Sequence, residues 1–315
     1  GTITFSSDDG AATLPADYTY NAGDLGVYTF TNELNFTTVG TWYIQAADGG
    51  ATGSQTGIYV EPGALASFTI SGITDPTNTD NDESPVVTAY DADSNIKTNY
   101  TGTVTFSSDD PGPATLPSDY TYVAGDLGAH TFTNEVNFTT VGTWYVQVAD
   151  GGISAQQTGI YVGPGDLNYF TLSGITNPTD TDSDESPVAT AYDSDNNIKT
   201  DYVGTVSFSS TDGSASLPSD YTYIVGDAGV HTFTNELNFT TVGTWDVTIE
   251  DTSNSSLNGT QSSIYVAPGA LSHFVVNGVT SPTDTDTTET PVVEAQDADN
   301  NTKTDYVGTI TFSSD

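Results

Sequence analysis

Carboxylates are the side chains in this sequence that could do chemistry. Asp and Glu number 42 against 3 Lys and Arg, a formal net charge of −39. Their placement repeats. An acidic loop stands at Asp75–Glu83 (DPTNTDNDE), again at Asp180–Glu185 (DTDSDE) and again at Asp284–Glu289 (DTDTTE). An Asp-x-Asp-x-Asn motif follows each one: Asp91, Asp93 and Asn95; Asp193, Asp195 and Asn197; Asp297, Asp299 and Asn301. Asp109 and Asp110 form a further pair. Oxygen donors this dense, with almost no Lys or Arg to neutralise them, suit a hard cation. Calcium takes roughly six to eight oxygens, Asn and backbone carbonyls included. The candidate ligands are Asp80, Asp82, Glu83, Asp91, Asp93, Asn95, Asp109, Asp110, Asp182, Asp184, Glu185, Asp193, Asp195, Asn197, Asp297, Asp299 and Asn301. The competing reading is structural: Asp-x-Asp-x-Asn is a good turn sequence, because short polar side chains bond their own backbone two residues on.

Other chemistry is sparse. The three lysines, Lys97, Lys199 and Lys303, hold equivalent positions. A Lys–Asn isopeptide cross-link would need each lysine in a core beside a catalytic Glu, and Glu33, Glu135 and Glu236 do recur. Lys97 instead lies in a polar segment beside a turn, which suits a surface ion pair with local acids. Asn35, Asn137 and Asn238 each open an Asn-Phe-Thr sequon and are candidate glycosylation sites. Further sequons begin at Asn99, Asn254 and Asn258. An outward polar strand residue explains the Asn-Phe-Thr positions equally well. His130 and His231 stand where the first copy has Tyr28, which argues for packing rather than for metal ligation or base catalysis. His273 stands alone. No nucleophile motif, phosphate loop or histidine cluster is present, so the chain reads as non-enzymatic. A surface this acidic repels phosphate backbones and anionic lipid, which disfavours nucleic acid and membrane surfaces as partners. No apolar run is long enough to enter a membrane. Cysteine is absent, so neither disulfides nor thiolate metal sites hold the fold.

The elements that must position these groups also repeat. GTITFSSDD from Gly1 returns as GTVTFSSDD from Gly102, GTVSFSSTD from Gly204 and GTITFSSD from Gly308. That is a period of about a hundred residues. Within the repeat from Pro62, alternating runs predict seven strands. Phe68 and Ile70 point inward on the first, Val87 and Ala89 on the second, Val104 and Phe106 on the third. Tyr120 and Tyr122 mark the fourth, Phe132, Val136 and Phe138 the fifth, Trp144, Val146 and Val148 the sixth, Ile160 and Val162 the seventh. The fold class is all-β: tandem immunoglobulin-like β-sandwich modules of about seven strands in a linear array. Trp42, Trp144 and Trp245 are the expected core anchors, since a large aromatic buries the most area.

Pro62-Gly63, Pro164-Gly165 and Pro268-Gly269 mark module edges with no residues to spare. The expected division is a partial module at 1–62, complete modules at 63–164 and 165–268, and a partial module at 269–315. Tracing strands up and down puts Asp80, Asp82, Glu83, Asp109 and Asp110 at the downstream end of one module. Asp193, Asp195, Asn197 and Asp227 fall at the upstream end of the next, with Asp166 between. Calcium bridging and stiffening each junction is therefore the expectation. The two partial modules read either as a window onto a longer repeat protein or as halves that complete each other between chains by strand donation.

The run Asp126-Leu-Gly-Ala-His-Thr-Phe132 through Val141-Gly-Thr-Trp144 to Asp150 resembles filamin-type and bacterial immunoglobulin-like repeats. Pro164-Gly165 with Phe170 and Gly174, then Ala191-Tyr-Asp193 and Gly204-Thr-Val206, is similar to repeats of very large prokaryotic surface proteins. The resemblance covers the whole chain. It implies a stalk, adhesin extender or cell-surface filament, often calcium-bound, located outside the cell. The alternatives are an extender of a calcium-dependent adhesin, or carbohydrate-binding or accessory modules of a secreted protein. The partners implied are neighbouring copies or modules of the same protein, and cell-surface glycans.

Overall fold

The structure, a computed structural model, describes residues 1–314. The chain forms two compact units, Gly1–Gly163 and a second beginning at Pro164.

In the first unit, residues 63–163 build a complete β-sandwich. One sheet holds Ser67–Ser71, Val86–Tyr90 and Ala129–Thr131, with Val86–Tyr90 in the middle. The other runs in the order Thr77–Asn78, Ile153–Gly163, Gly142–Asp150, Thr103–Ser108, Tyr120–Thr121. The chain leaves the first sheet after Ser71 and joins the second as Thr77–Asn78, parallel to Val162 and Gly163. Strand alternation dictates what fills the space between. Phe68 pairs with Ala89 and Ile70 with Val87, and all four are buried, as are Val104, Val146, Val148, Ile160 and Val162 opposite. Gln157 then ties the sheets at one edge. Its Nε2 donates to the Ile73 carbonyl at 2.6 Å, and its Oε1 accepts the Ile73 N–H at 3.2 Å.

The second unit repeats this sandwich. Tyr169–Ser173, Val188–Tyr192 and Val230–Thr232 face a sheet ordered Thr179–Asp180, Asn254–Ala267, Gly243–Asp251, Thr205–Ser210, Tyr221–Thr222. Gln261 clasps Ile175 as Gln157 clasps Ile73. The modules are immunoglobulin-like β-sandwiches. Each unit also carries a partial module: a four-stranded sheet of Tyr18–Thr19, Thr2–Ser7, Gly40–Asp48 and Ala51–Val60 in the first, and the pair His273–Asn277 and Val292–Gln296 in the second.

Two expectations are corrected. The tryptophans do not anchor the core centre; Trp144 and Trp245 are only partly buried against it. A β-bulge between Trp144 and Val146 shifts the register there. The indole lies over the Gly142 backbone and donates its N–H to Thr140 O at 2.8 Å. An indole N–H needs such a partner, which draws the ring to the sandwich rim. The centre is filled instead by Tyr122, Phe132 and Phe138, and by Tyr223, Phe233 and Phe239. Nor is the fifth run one strand. It stops at Thr131, Asn134 takes φ 56°, and Val136 meets Glu83 through an isolated bridge. The Ser84 hydroxyl accepts the Asn134 N–H and pins this corner. Phe132 and Val136 both stay buried by turning rather than by alternating.

The glycine under the indole has a testable cost. A Cβ on Gly142 would sit 2.4 Å from Trp144 Cζ2. Gly142→Ala should destabilise the module by about 1–3 kcal/mol through overpacking, read by denaturant unfolding.

Candidate functional site at the module junctions

The sequence motif Asp-x-Asp-x-Asn folds into one device in both units. In the first, Asp91 is buried at 4% exposure. Its Oδ1 accepts the N–H groups of Asp93 and Asn95 at 3.0 and 2.9 Å, and its Oδ2 accepts the N–H of the linker residue Gly63 at 2.9 Å. The Asn95 amide donates to the same carboxylate. That amide also reaches out of its module. Asn95 Nδ2 donates to Thr37 O at 3.0 Å, and Asn95 Oδ1 accepts the Val39 N–H at 3.3 Å. The loop thus joins its own turn, the linker and the preceding segment. The second unit does the same. Asn301 bonds Thr240 O and the Val242 N–H, and Asp297, fully buried, accepts the Gly269 N–H. Thr181 adds a bond, its hydroxyl donating to Asp297 Oδ2 at 2.9 Å and accepting the Gly269 N–H. Asp193 is buried with the same internal partners, Asp195 N–H, Asn197 N–H and Gly165 N–H.

Asparagine suits the outer position because its amide is donor and acceptor at once. Aspartate suits the inner one because an ionised carboxylate accepts several N–H groups strongly. Burial pushes the Asp91 and Asp297 carboxyls up. Hydrogen bonds from Asn95 and Asn301, and from the linker N–H groups, outweigh it and leave both below the ordinary value.

Two of the three lysines sit at the same junctions. Lys97 Nζ donates to the linker carbonyl Gly63 O at 2.7 Å and to Asn99 at 2.9 Å. Lys303 reaches Pro268 O at 3.3 Å and pairs with Asp305, and Lys199 pairs with Asp201. The ion pairs form where position two beyond the lysine is Asp. At Lys97 it is Asn99, and no salt bridge is found among the described residues.

The other candidate ligands divide into spent and exposed. Glu83 accepts the Thr74 N–H and the Thr77 hydroxyl; Glu185 accepts the same groups of Thr176 and Thr179. Both are buried and hold the acidic loop closed. Buried Asp110 accepts the Gly112 and Thr139 N–H groups, and Asp109 caps the bulge through the Tyr145 N–H. Asp80, Asp82, Asp93, Asp182, Asp184 and Asp299 are exposed, and Asp195 is half-exposed. Of these, Asp299 comes near Asp297 and Asp182, whose charges join burial in raising it. Asp182 Oδ2 accepts the Ala270 N–H. Among the described residues no group of three or more His, Asp or Glu converges as a metal cage.

The sequon residues have work of their own. Asn137 Nδ2 donates to Thr79 O and Asn81 O, and Asn238 Nδ2 to Thr181 O and Ser183 O. A glycan on either nitrogen replaces one of these donors. Asn35 is exposed. His130 stacks on Tyr120 at 4.0 Å and bonds Asp126 through Nδ1 at 3.0 Å, while Tyr28 stacks on Tyr18 at 3.8 Å. The position is a packing position. Gln157 and Gln261 went unremarked at the sequence level, although the recurring Gln-x-Gly-Ile-Tyr-Val and Gln-x-Ser-Ile-Tyr-Val carry them.

No protein-family model matches the chain, and no curated protein does. Among solved structures it is similar to FdeC, an Escherichia coli adhesin, with 17% identity over 77% of each chain and a TM-score of 0.41. It is similar to InvD of Yersinia pseudotuberculosis, with 17% identity over 75% of this chain and 71% of that one, TM-score 0.34. It is also similar to invasin, a bacterial integrin-binding protein, with 18% identity over 88% of this chain but 55% of that one, TM-score 0.37. At these values the likeness is confined to the fold.

The junction carboxylates set a pH dependence. Their folded-state pKa lies below the ordinary 3.8, so their contribution is complete above that value and is lost as pH falls through the lower one. Thermal midpoints should hold steady from about pH 7 to about pH 5 and decline below about pH 4, as followed by calorimetry.

Proposed function

We propose that this chain is a structural spacer of an extracellular, cell-surface protein, a stalk or filament segment whose modules are held at fixed angles by the Asp–Asn clasp. The observation that carries the reading is the clasp itself. Asp91 with Asn95, and Asp297 with Asn301, spend a buried carboxylate and both ends of an amide on joining a module to the segment before it. Freely hinged modules need no such device, and interfaces within one chain otherwise default to relative motion. Near-identical copies support the reading too, since a repeated spacer needs no distinct site. Neighbouring copies or modules and surface glycans are the partners in this reading. The test is small-angle scattering of the chain against an Asn95→Ala, Asn301→Ala variant. The variant should show a broader distribution of dimensions with its modules still folded; an unchanged profile overturns the spacer reading.

The reading extends to calcium. Asp182, Asp297 and Asp299 crowd one junction with like charge, and Asp299 is raised by burial and by its two neighbours. A hard cation drawn to Asp182 and Asp299 would relieve that repulsion without disturbing the N–H donors on Asp297. Binding to the folded state alone raises the melting midpoint. Millimolar calcium should therefore raise it relative to chelator at matched ionic strength, and Asp299→Asn should shrink the difference. An equal midpoint in both conditions removes calcium from the proposal and leaves the clasp.

A further inference from the structure

The second complete module departs from the first at one turn. Nine residues, 252–260, separate Asp251 from Gln261, where six, 151–156, separate Asp150 from Gln157. The longer turn reads TSNSSLNGT. It carries no charged residue, in a chain with 42 acids. It also holds two of the chain's seven Asn-x-Ser/Thr sequons, beginning at Asn254 and Asn258.

The fold ties down the other sequons at the residues beyond the asparagine. Phe138 and Phe239, which follow Asn137 and Asn238, are fully buried, and Tyr100, which follows Asn99, is 4% exposed. Asn301, which follows Asn300, is the clasp residue. At Asn35 the sequon hydroxyl of Thr37 donates to Ala11 O, and the Thr37 N–H to Asp9. Gly259, which follows Asn258, is buried in the ladder opposite Ile249 and packs on the Phe170 carbonyl.

Asn254, Ser255 and Ser256 are different: all three are exposed. Asp251 pairs with Asn254, and the next pair is Glu250 with Asn258, so residues 255–257 stand outside the ladder. The bonds of this sequon stay within the turn. Asn254 Oδ1 accepts the Ser256 N–H at 3.2 Å and the Ser256 hydroxyl at 2.7 Å, and the Asn254 N–H donates to Asp251 Oδ1 at 3.2 Å. Asn254 Nδ2 has no hydrogen-bond partner among the described residues. Asn258 Nδ2, by contrast, donates to Ser255 O and Ser256 O and closes the bulge.

We propose that Asn254 is the N-glycan acceptor of the folded chain. A transferring enzyme must draw a sequon out of its surroundings, so the favoured site is the one whose segment opens at least cost. Exposed turn tips with small polar residues are such segments. Asn254 Nδ2 attacks the anomeric carbon of a lipid-linked oligosaccharide. The new N–C bond forms as the C–O bond to the lipid pyrophosphate breaks. The lipid pyrophosphate leaves, and Nδ2 gives up one proton to a base of the enzyme. That donor is anionic, and a turn without carboxylates repels it less than the acidic loops do. The site stands apart from the spacer reading, since a glycan here neither requires nor replaces any bond of the Asp–Asn clasp.

The test takes the folded chain, made in a host without N-glycosylation. It is incubated with a lipid-linked oligosaccharide and a single-subunit oligosaccharyltransferase that asks only for Asn-x-Ser/Thr. Glycopeptide mass spectrometry reads the yield at each site. Short synthetic peptides of the same sequons give the reference, because they have no fold to leave. The ratio of folded-chain yield to peptide yield should be at least about tenfold higher at Asn254 than at Asn137 or Asn238, which are reached only through local opening. Ser256→Ala should abolish modification at Asn254 and leave the other sites as they were. An unmodified Asn254 in the folded chain overturns the proposal, as does any other sequon whose ratio equals or exceeds that of Asn254.

Discussion

A carboxylate can be buried only if something answers its charge, and this chain has almost no cations with which to do so. Of its three lysines, Lys97 and Lys303 face linker carbonyls and Lys199 pairs with the nearby Asp201. The remaining donors are backbone N–H groups, hydroxyls and amides. Every buried acid in the complete modules accepts from these: Asp91 and Asp193 in the turn, Glu83 and Glu185 in the acidic loop, Asp110 and Asp212 after the third strand, and Asp251 at the end of the sixth. Each such bond fixes a loop that would otherwise be a solvated strand connection. The loops are therefore shaped by where N–H groups can be gathered, and the junctions are built from those loops.

Work is divided accordingly. The apolar core holds each module, and it contains no acid: alternation alone brings Phe68, Ile70, Val87 and Ala89 against Val146, Val148, Ile160 and Val162. The acids hold the periphery. A natural exchange inside the chain supports this. Where Asp109 caps the bulge of the first complete module, Thr211 does so in the second, its hydroxyl accepting the Asp246 N–H at 2.8 Å. A neutral oxygen suffices there, so the acceptor matters at that site and the charge does not.

Much of the fold was legible in the residues. Period-2 runs marked the strands, and Phe68, Val87, Val104, Val146 and Ile160 are buried as the alternation required. Trp144 was misread because a bulge breaks the period beside it, and bulges carry no apolar signal. The corner at Asn134 was missed because Phe132 and Val136 are both buried, which a continuous strand would also allow. The candidate site was half legible. Type and spacing of the acids marked the loops, but the partners of a carboxylate here are backbone N–H groups, and those have no letter in a sequence.

The sequence by itself determined the period, the all-β modules, the excess of negative charge and the absence of thiols, because each follows from local order or composition. Only tertiary structure decided how the acids are used. Asn95 meets Thr37 and Val39, and Asn301 meets Thr240 and Val242, across more than fifty residues of chain. The same Asp-x-Asp-x-Asn could close a solvated turn or hold a cation. Which of these it does depends on the carbonyl and N–H groups that packing of one segment on the next places within 3.5 Å of it.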